Sequence, residues 1–535
     1  MLALAGSTSS AQDMKPPRII AVSPDWRAAL ATIGVDVPPS EELGQVAALA
    51  KLNAAVPKRI AGVALSPVPV LLPIDTEALL RDQAAGTVAE AGHPYLSGFH
   101  ARTFLYAGPS GYDAALAIRT ADVAELADIT FADPIEVQIT GSRLVYELDA
   151  EPDAGGGPMP ELDDAFPGIR RTLLEHYVRY TFERYRVPYV VSVNCFDASV
   201  SRYKLPTCRA ADRVITRFLR ALRLAGGTPP PERAIAPLAL ARPPQQSADF
   251  TFHAPGRLVP GTSSRGRGGR ADSTVYSQIR FPIATAPAYA NSQLYRVRRP
   301  ADQATSNYDY PWRDNFCERR GFTVGQCPAG IGHQGQDIRP ARCEQQPCQR
   351  SHDLVAVRDG AVLRAFKQEA AYIVVNTEQE HIRFRYLHMN PRKMDEDGVL
   401  NGRLVREGEV IGQVSNYSRK EGGTSYHLHF DVQVPTRRGW VFVNPYMTLV
   451  AAYERLIGGR GTQIEEPVPI AGSDAGETVK VASAHRRPSI KRLRHGKQIA
   501  QKSKLSKKSK LAARTKGGAK ARHTKKRRHV RTARR

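Results

Sequence analysis

Histidine and aspartate side chains recur in three short stretches of the C-terminal half, at spacings that suit a bound metal ion. The stretches are Gly332-His333-Gln334-Gly335-Gln336-Asp337, Tyr386-Leu387-His388 and Tyr426-His427-Leu428-His429-Phe430-Asp431. Side chains two positions apart on a strand share a face, so a strand would present the imidazoles of His427 and His429 together. Imidazole nitrogens and carboxylate oxygens are ligands of zinc. Each stretch alone is a weak signal, but the three together predict a metal site.

Short β-like runs must position these side chains. Residues 278 to 455 alternate Val-, Ile- and Tyr-rich segments with Gly and Asn turns, which is typical of an antiparallel β domain. In the run from His381 to His388, alternation places His388 on the face of Tyr386 and places His381 with two arginines on the other face. We therefore expect His388 in the site and His381 in contact with solvent. Asp431 shares the face of His429, where it either orients a ligand or is an ordinary polar residue.

The order of the three stretches resembles the lysostaphin-like (LytM-type) family of peptidoglycan zinc endopeptidases. Framework segments match as well: Asp359-Gly360-Ala361-Val362, the glycine-bounded segment Leu404 to Gly412, and Val443-Asn444-Pro445. The resemblance covers residues 330 to 450, and nothing comparable covers the first 250 residues. It implies a C-terminal metallopeptidase domain built mainly of antiparallel β-sheet.

Position by position, the resemblance makes His333, Asp337 and His429 the ligands of Zn2+ and leaves a fourth position open for water. Zinc lowers the pKa of such a water to around 7. The resemblance also makes His427 the general base and His388 the group that stabilises the oxyanion, with no further cofactor. The reaction implied is hydrolysis of peptide cross-links in bacterial peptidoglycan.

The resemblance leaves two points open. The family includes enzymes that act on glycine bridges and enzymes that act on direct stem-peptide cross-links, so the bond is not determined. Relatives that have lost ligands serve as catalytically silent cell-wall binding or amidase-activating modules, which is the alternative function for this chain. All five expected residues are present here, which favours an enzyme.

An insertion of residues 339–353 departs from the family pattern, which has a short glycine-containing turn at this point. It contains Cys343 and Cys348 and predicts a stapled loop beside the metal. Such a loop could narrow the cleft, select the peptide or occlude the site. Arg339 or Arg342 could meet a carboxylate of the substrate.

The first 277 residues predict a separate α+β region of unknown role and a connector. Within residues 13–227 we expect a hairpin over 135–148, a helix near 169–184, a strand over 189–193 and a second helix near 210–224. Residues 228–277, rich in Pro, Gln, Gly and Arg, are predicted to be a linker to the metallopeptidase domain at 278–458. The chain is therefore predicted to be multidomain.

The cysteines and the N-terminus indicate an exported protein. Six cysteines form three pairs close in sequence, which predicts local disulfides Cys195–Cys208, Cys317–Cys327 and Cys343–Cys348 rather than free buried thiols. Residues 1–12 resemble the end of a truncated signal peptide. No stretch reaches the roughly 20 apolar residues of a membrane span. We expect a periplasmic or cell-envelope location.

The positive charge is concentrated at the C-terminal end. The chain has a net charge of +24, yet residues 480–535 contain 23 Lys and Arg and no Asp or Glu. We expect residues 459–535 to be a disordered linker and polybasic tail that attracts anionic envelope polymers. The tail has no aromatic residue, so specific nucleic-acid binding is not predicted. A nucleic-acid binder driven by the tail is the rival, and it would lose its main activity without residues 480–535.

Overall fold

Two large antiparallel β-sheets account for most of the regular structure in the computed structural model of the chain. It describes residues 14–36, 38, 42–88, 95–129, 131, 133–149, 156–195, 205–231, 234–293, 307–342 and 352–465. A seven-stranded sheet with flanking helices lies in the N-terminal region, and an eight-stranded sheet with few helices lies in the C-terminal half. The predicted fold class of an α+β region followed by a mainly β domain is confirmed for the described residues.

The N-terminal region contains five helices and eleven strands among the described residues. The helices are α1 Trp26–Ala31, α2 Glu42–Ala55, α3 Thr76–Ala85, α4 Pro160–Asp163 and α5 Cys208–Ala221. The strands are β1 Arg18–Ala21, β2 Val70–Leu72, β3 His100–Gly108, β4 Gly111–Ile118, β5 Ile135–Ser142, β6 Leu144–Glu147, β7 Gly157–Pro158, β8 Arg170–Leu174, β9 Tyr177–Arg184, β10 Val187–Asn194 and β11 Arg223–Gly226. The large sheet has the order β3-β4-β5-β10-β9-β8-β7, and α5 packs on one of its faces.

Helix α5 is amphipathic and confirms the prediction of a helix near 210–224. The Thr207 side chain caps its first turn by accepting a hydrogen bond from the Ala210 N–H. Its buried residues recur at helical spacing: Cys208, Ala211, Val214, Ile215, Phe218 and Leu219. The predicted strand over 189–193 is likewise confirmed, as part of β10.

The predicted helix near 169–184 is wrong, because this segment forms the antiparallel hairpin β8–β9. Strand β9 is buried on both faces. Tyr180 donates a hydrogen bond to Asp212 of α5, while Arg179 on the other face bonds Gln433 of the C-terminal half. A strand that is covered on both sides loses the alternation of apolar and polar residues. The spacing of the aromatic side chains in this segment therefore resembled that of a helix.

The predicted hairpin over 135–148 is also wrong, although both strands exist. Strand β5 pairs with β4 and β10, whereas β6 pairs with β1 in a separate two-stranded sheet. Gly141, expected in the turn, lies within β5, where an added Cβ would be 2.6 Å from the Tyr189 ring. The glycine therefore serves close packing of neighbouring strands and not a reversal of the chain.

The C-terminal half contains twelve strands and two helices among the described residues. The strands are β12 Ser247–His253, β13 Ala288–Ala290, β14 Gln336–Pro340, β15 Asp353–Val355, β16 Gly360–Leu363, β17 Ala371–Asn376, β18 His381–Leu387, β19 Leu404–Val405, β20 Val410–Gln413, β21 Leu428–Thr436, β22 Gly439–Val443 and β23 Arg460–Ile464. The helices are α6 Pro391–Glu396 and α7 Tyr446–Ile457. The sheet runs β13-β14-β21-β18-β17-β16-β19, and β22 pairs with β21.

The two faces of this sheet have different partners. One face carries Phe384, Tyr386 and Phe430 into an apolar core that α7 completes. The opposite face of β18 carries polar side chains that the N-terminal sheet covers: His381 lies 2.9 Å from Asp113 of β4. The expectation that His381 contacts solvent is therefore wrong, since it is 0% exposed.

The predicted linker at 228–277 is irregular over much of its length but contributes to the C-terminal half. Strand β12 pairs in parallel with β23, and Phe250 is buried. Among the described residues, no helix has the length and apolar character needed to cross a membrane. The predicted signal segment and nearly all of the predicted tail lie outside the described residues.

Candidate metal centre

Two neighbouring strands and one loop bring the predicted ligands together. Asp337 on β14 lies directly opposite His429 on β21, and side chains in such cross-strand positions are in contact range. His333 lies in the loop before β14. Its N–H donates to the Glu318 carbonyl at 2.8 Å, and its carbonyl accepts from the Cys317 N–H at 3.0 Å. All three side chains are buried.

Gly335 lets the two ligand-bearing strands approach each other. A Cβ at this position would lie 2.3 Å from the carbonyl oxygen of Phe430 and 2.7 Å from the Cβ of Asp431. Any side chain would therefore push β14 away from β21. The glycine between His333 and Asp337 is required by this contact.

Neighbouring oxygen atoms orient the rings of the two candidate histidine ligands. Nδ1 of His333 lies 2.9 Å from the carbonyl oxygen of Asn315, which can only accept, so Nε2 is left with a lone pair. The ring of His429 has a carboxylate oxygen beside each nitrogen: Nε2 lies 3.3 Å from Asp431, and Nδ1 lies 3.2 Å from Oδ1 of Asp337. These partners orient both rings toward Asp337, as outer partners of metal ligands commonly do.

The three ligand atoms fit one small cation. Nε2 of His333 lies 2.9 Å from Nδ1 of His429, and Oδ1 of Asp337 lies 3.3 Å from the first and 3.2 Å from the second. Ligand atoms held tetrahedrally at about 2.0–2.1 Å from zinc are roughly 3.3 Å apart. In the metal-free protein a proton on Nδ1 of His429 lies between these atoms, and a cation bound there would take the place of that proton. The donor set therefore fits zinc.

The pKa values describe the metal-free site. Burial alone would lower the pKa of His429, but hydrogen bonds to Asp337 and Asp431 outweigh it and raise that pKa to about 9. Burial works against ionised Asp337, yet neighbouring His333 and His427 hold its pKa well below the usual range. Burial lowers the pKa of His333. At neutral pH a metal ion would have to displace a proton from His429.

The two predicted catalytic histidines lie beside the ligands. The ring centroids of His388 and His427 are 4.9 Å apart, and that of His388 is 6.2 Å from His429. Nδ1 of His427 lies 2.8 Å from the Ser425 carbonyl oxygen, and its Nε2 is 3.4 Å from Oδ1 of Asp337. The side-chain amide of Gln293 contacts the same Nε2. His427 therefore carries its proton on Nδ1 and directs Nε2 into the site.

His388 has the same tautomer as His427. Its Nδ1 lies 3.0 Å from the Tyr417 carbonyl oxygen, which leaves Nε2 with the lone pair. Burial, together with the nearby His427, lowers the pKa of His388 well below its usual value. His388 is therefore neutral at pH 7 in the metal-free protein.

A left-handed backbone conformation brings His388 to the site. Leu387 pairs with His429, so alternation along β18 places Leu387 and Arg385 on the ligand face and Tyr386 on the core face. His388 follows the end of the strand with a φ of 69°. This conformation, unusual for a residue with a side chain, turns its ring toward His427. The alternation argument that selected His388 is therefore wrong, although the residue lies where it was expected.

The sequence analysis missed two charged residues near the ligands. Arg320 lies 3.7 Å from Oδ2 of Asp337 and 3.5 Å from Oε2 of Glu318. Burial raises the pKa of Glu318 to about 7. Both residues lie in the loop closed by the Cys317–Cys327 disulfide. Only that cysteine pair marked the loop in the sequence, and nothing in its spacing pointed to the site.

The predicted disulfides Cys195–Cys208 and Cys317–Cys327 are confirmed, with sulfur atoms 2.04 and 2.08 Å apart. Cys343 and Cys348 lie outside the described residues, as does most of the insertion. Arg339 is 0% exposed and donates to the Asn291 carbonyl oxygen at 3.2 Å. The expectation that Arg339 could meet a substrate carboxylate is therefore wrong.

A comparison with known protein families gives a match that spans the candidate site. Residues 332–445 match peptidase family M23. A crystal structure of a candidate glycyl-glycine endopeptidase lytM from Ruminococcus gnavus ATCC 29149 is similar at 16% sequence identity, with a TM-score of 0.21. The similarity covers 34% of this chain and 62% of that chain. No curated protein matches the chain.

Proposed function

We propose, from the premise that residues 332–445 form a peptidase family M23 domain, that this chain is a zinc-dependent endopeptidase of bacterial peptidoglycan. One observation carries the proposal: ring nitrogens of His333 and His429 meet the carboxylate of Asp337 at distances that suit zinc, with His388 and His427 beside them. Three protein ligands with an open position are typical of catalytic zinc. The substrate would be the peptide cross-links of the cell wall.

Zinc, when bound there, would supply Lewis acidity and make hydroxide available from water near pH 7. We propose that His427 takes the proton from that water at Nε2 and passes it to the leaving amine. Its Nδ1–H, held by the Ser425 carbonyl oxygen, keeps Nε2 directed at the water. His388 would stabilise the oxyanion. For this role His388 must take up a second proton from solvent on Nε2, because the neutral ring holds its proton on Nδ1 and presents a lone pair at Nε2.

An extracytoplasmic location is part of the proposal. The two disulfides support an oxidising compartment, either the periplasm or the cell envelope, where peptidoglycan is found. The polybasic segment at 480–535 would attract anionic envelope polymers through charge and would do so less strongly at high salt. Its removal should leave peptide hydrolysis intact.

Loss of turbidity of purified sacculi tests the proposal. The wild-type chain with one bound zinc should clear the suspension, and His427→Ala should keep zinc but lose most of the activity. Zinc-loaded wild-type protein that binds sacculi without clearing them would support the silent cell-wall binding or amidase-activating module instead. Wild-type protein that neither binds zinc nor clears sacculi would contradict the peptidase and would leave the silent module as the remaining function.

A further inference from the structure

The metal ligand His429 is connected to a chain of buried polar groups. Asp431 lies 3.3 Å from Nε2 of His429. The carboxylate of Asp431 also accepts from Nε of Arg385 at 2.5 Å and from the amide of Gln433 at 3.0 Å. A second branch joins Arg385 to Gln334, the residue after ligand His333, at 3.0 Å. Asp431 therefore contacts the ligand His429, and Arg385 contacts Gln334, the neighbour of the ligand His333.

This chain of contacts continues into the N-terminal region. Arg179 of β9 donates to the side-chain oxygen of Gln433 and, at 2.8 Å, to the Trp440 carbonyl oxygen. Arg385 donates to the carbonyl oxygen of Glu175, in the turn between β8 and β9, at 3.4 Å, and it lies 3.9 Å from the Glu175 carboxylate. The N-terminal region therefore contacts both groups that hold Asp431 in place.

Aromatic rings from both halves of the chain enclose the two guanidiniums. Arg179 lies 5.3 Å from the ring centroid of Tyr177 and 5.6 Å from that of Phe442, and Arg385 lies 5.7 Å from each. Arg179 is 4% exposed and Arg385 is 1% exposed. Buried charges are tolerated when they are paired, and here Arg385 faces the carboxylates of Asp431 and Glu175, while Arg179 donates to neutral oxygens of Gln433 and Trp440. Without the N-terminal region, Arg385 would lose the Glu175 carboxylate as a partner for its buried charge.

We infer that the N-terminal region is a permanent part of the metal centre. Through Arg179 and the turn at Glu175 it holds Arg385 and Asp431, and these two residues keep His429 with Nδ1 toward the metal. The inference rests on the proposed function in that the ion is taken to be zinc. Arg385, Asp431 and Arg179 are positioning residues, since each acts on the ion through a ligand.

Arg383 provides a matched control on the same strand face, two positions from Arg385. It is also buried, at 2% exposed, and it also pairs with a carboxylate across the interface, that of Asp113. Its ring partner is Trp440, at 4.9 Å from the centroid. Replacing either arginine removes one buried cation from the interface. The partner of Arg385 is Asp431, which lies beside the ligand His429, whereas the partner of Arg383 is Asp113 on β4.

The test compares zinc binding by the full chain with Arg385→Gln and Arg383→Gln. Zinc Kd values are measured by competition with a coloured chelator, and the ligand geometry is read from the visible absorption bands of the cobalt-substituted proteins. Arg385→Gln should weaken zinc binding about 10- to 100-fold, as loss of outer partners of metal ligands does elsewhere. It should also shift the cobalt bands. Arg383→Gln should keep the wild-type Kd and spectrum, although thermal unfolding should show that both variants are less stable.

Gln433→Leu covers the case in which Arg385→Gln does not fold. It removes the amide that joins Arg179 to Asp431 without removing a charge, and it should weaken zinc binding in the same direction. If Arg385→Gln and Gln433→Leu both bind zinc like Arg383→Gln with unchanged cobalt spectra, the inference is wrong and the proposed function is untouched. If the wild-type chain binds no zinc, the proposed function itself fails.

Discussion

Glu318→Gln should make the metal-free protein more stable than the wild type at high pH but not at low pH. Glu318 is 0% exposed, and burial raises its pKa from 4.5 to about 7. In the unfolded chain the carboxyl ionises at its ordinary pKa, so the folded protein holds a proton that the unfolded chain has released. The stabilising contribution of Glu318 is therefore complete below pH 4.5 and is lost as the pH rises through 7.

The size of the effect follows from the difference between the two pKa values. One pKa unit corresponds to about 1.4 kcal/mol, so the shift from 4.5 to about 7 costs the wild type about 3 kcal/mol by pH 8. The substituted glutamine side chain has nearly the same shape as glutamate but does not ionise. The two proteins should therefore have similar free energies of unfolding at pH 4, and the variant should gain progressively between pH 4.5 and pH 7.

Urea unfolding of both proteins after removal of metal by a chelator gives the required comparison. Taking the difference between variant and wild type at each pH cancels the titration of the groups that do not interact with Glu318. A difference that stays constant from pH 4 to pH 8 would refute the buried, proton-holding state of Glu318. A variant that instead becomes less stable than the wild type as the pH rises would mean that Arg320 dominates the environment of Glu318 and lowers its pKa.

Further substitutions test the site and the disulfides. Asp337→Ala should abolish zinc binding, which metal analysis measures, and normal zinc content in this variant would refute the ligand assignment. His427→Ala should keep zinc and lose about 100- to 10,000-fold in cleavage of sacculi, whereas His429→Ala should lose both. If His427→Ala cleaves normally while His388→Ala is inactive, the roles of these two histidines must be exchanged. Gly335→Ala should weaken zinc binding, because the added Cβ would push β14, which carries Asp337, away from β21, which carries His429. Unchanged zinc affinity would contradict that close contact. Alkylation before reduction should label no cysteine, and a labelled thiol would refute the three local disulfides.

The closeness of the candidate site residues was largely predictable from the sequence, because they lie in short motifs. His333 and Asp337 are four positions apart, and His427 and His429 are two apart, so local geometry already brings each pair close together. His388 lies beside the ligands as expected, but the argument from strand alternation that selected it was wrong. Its position depends on a single left-handed residue at a strand end, which alternation cannot predict.

The fold of the N-terminal region was less predictable, because its main sheet packs on the C-terminal sheet. Strand β9 is buried on both faces, which removed the period of two and produced a false helix prediction. The burial of His381 against Asp113 depends on two residues 268 positions apart. Such long-range pairing leaves no local pattern in the sequence, so a polar strand face was mistaken for a solvated one.

Mass spectrometry of the fragments released from defined peptidoglycans tests the central claim most directly. The zinc-loaded wild-type chain should release peptides with a new amino group and a new carboxyl group at one cross-link position, and the masses identify the bond. His429→Ala, with its ligand removed, should release none. Intact cross-links after incubation with zinc-loaded wild-type protein, or equal release by His429→Ala, would contradict a peptidase whose chemistry depends on this metal centre.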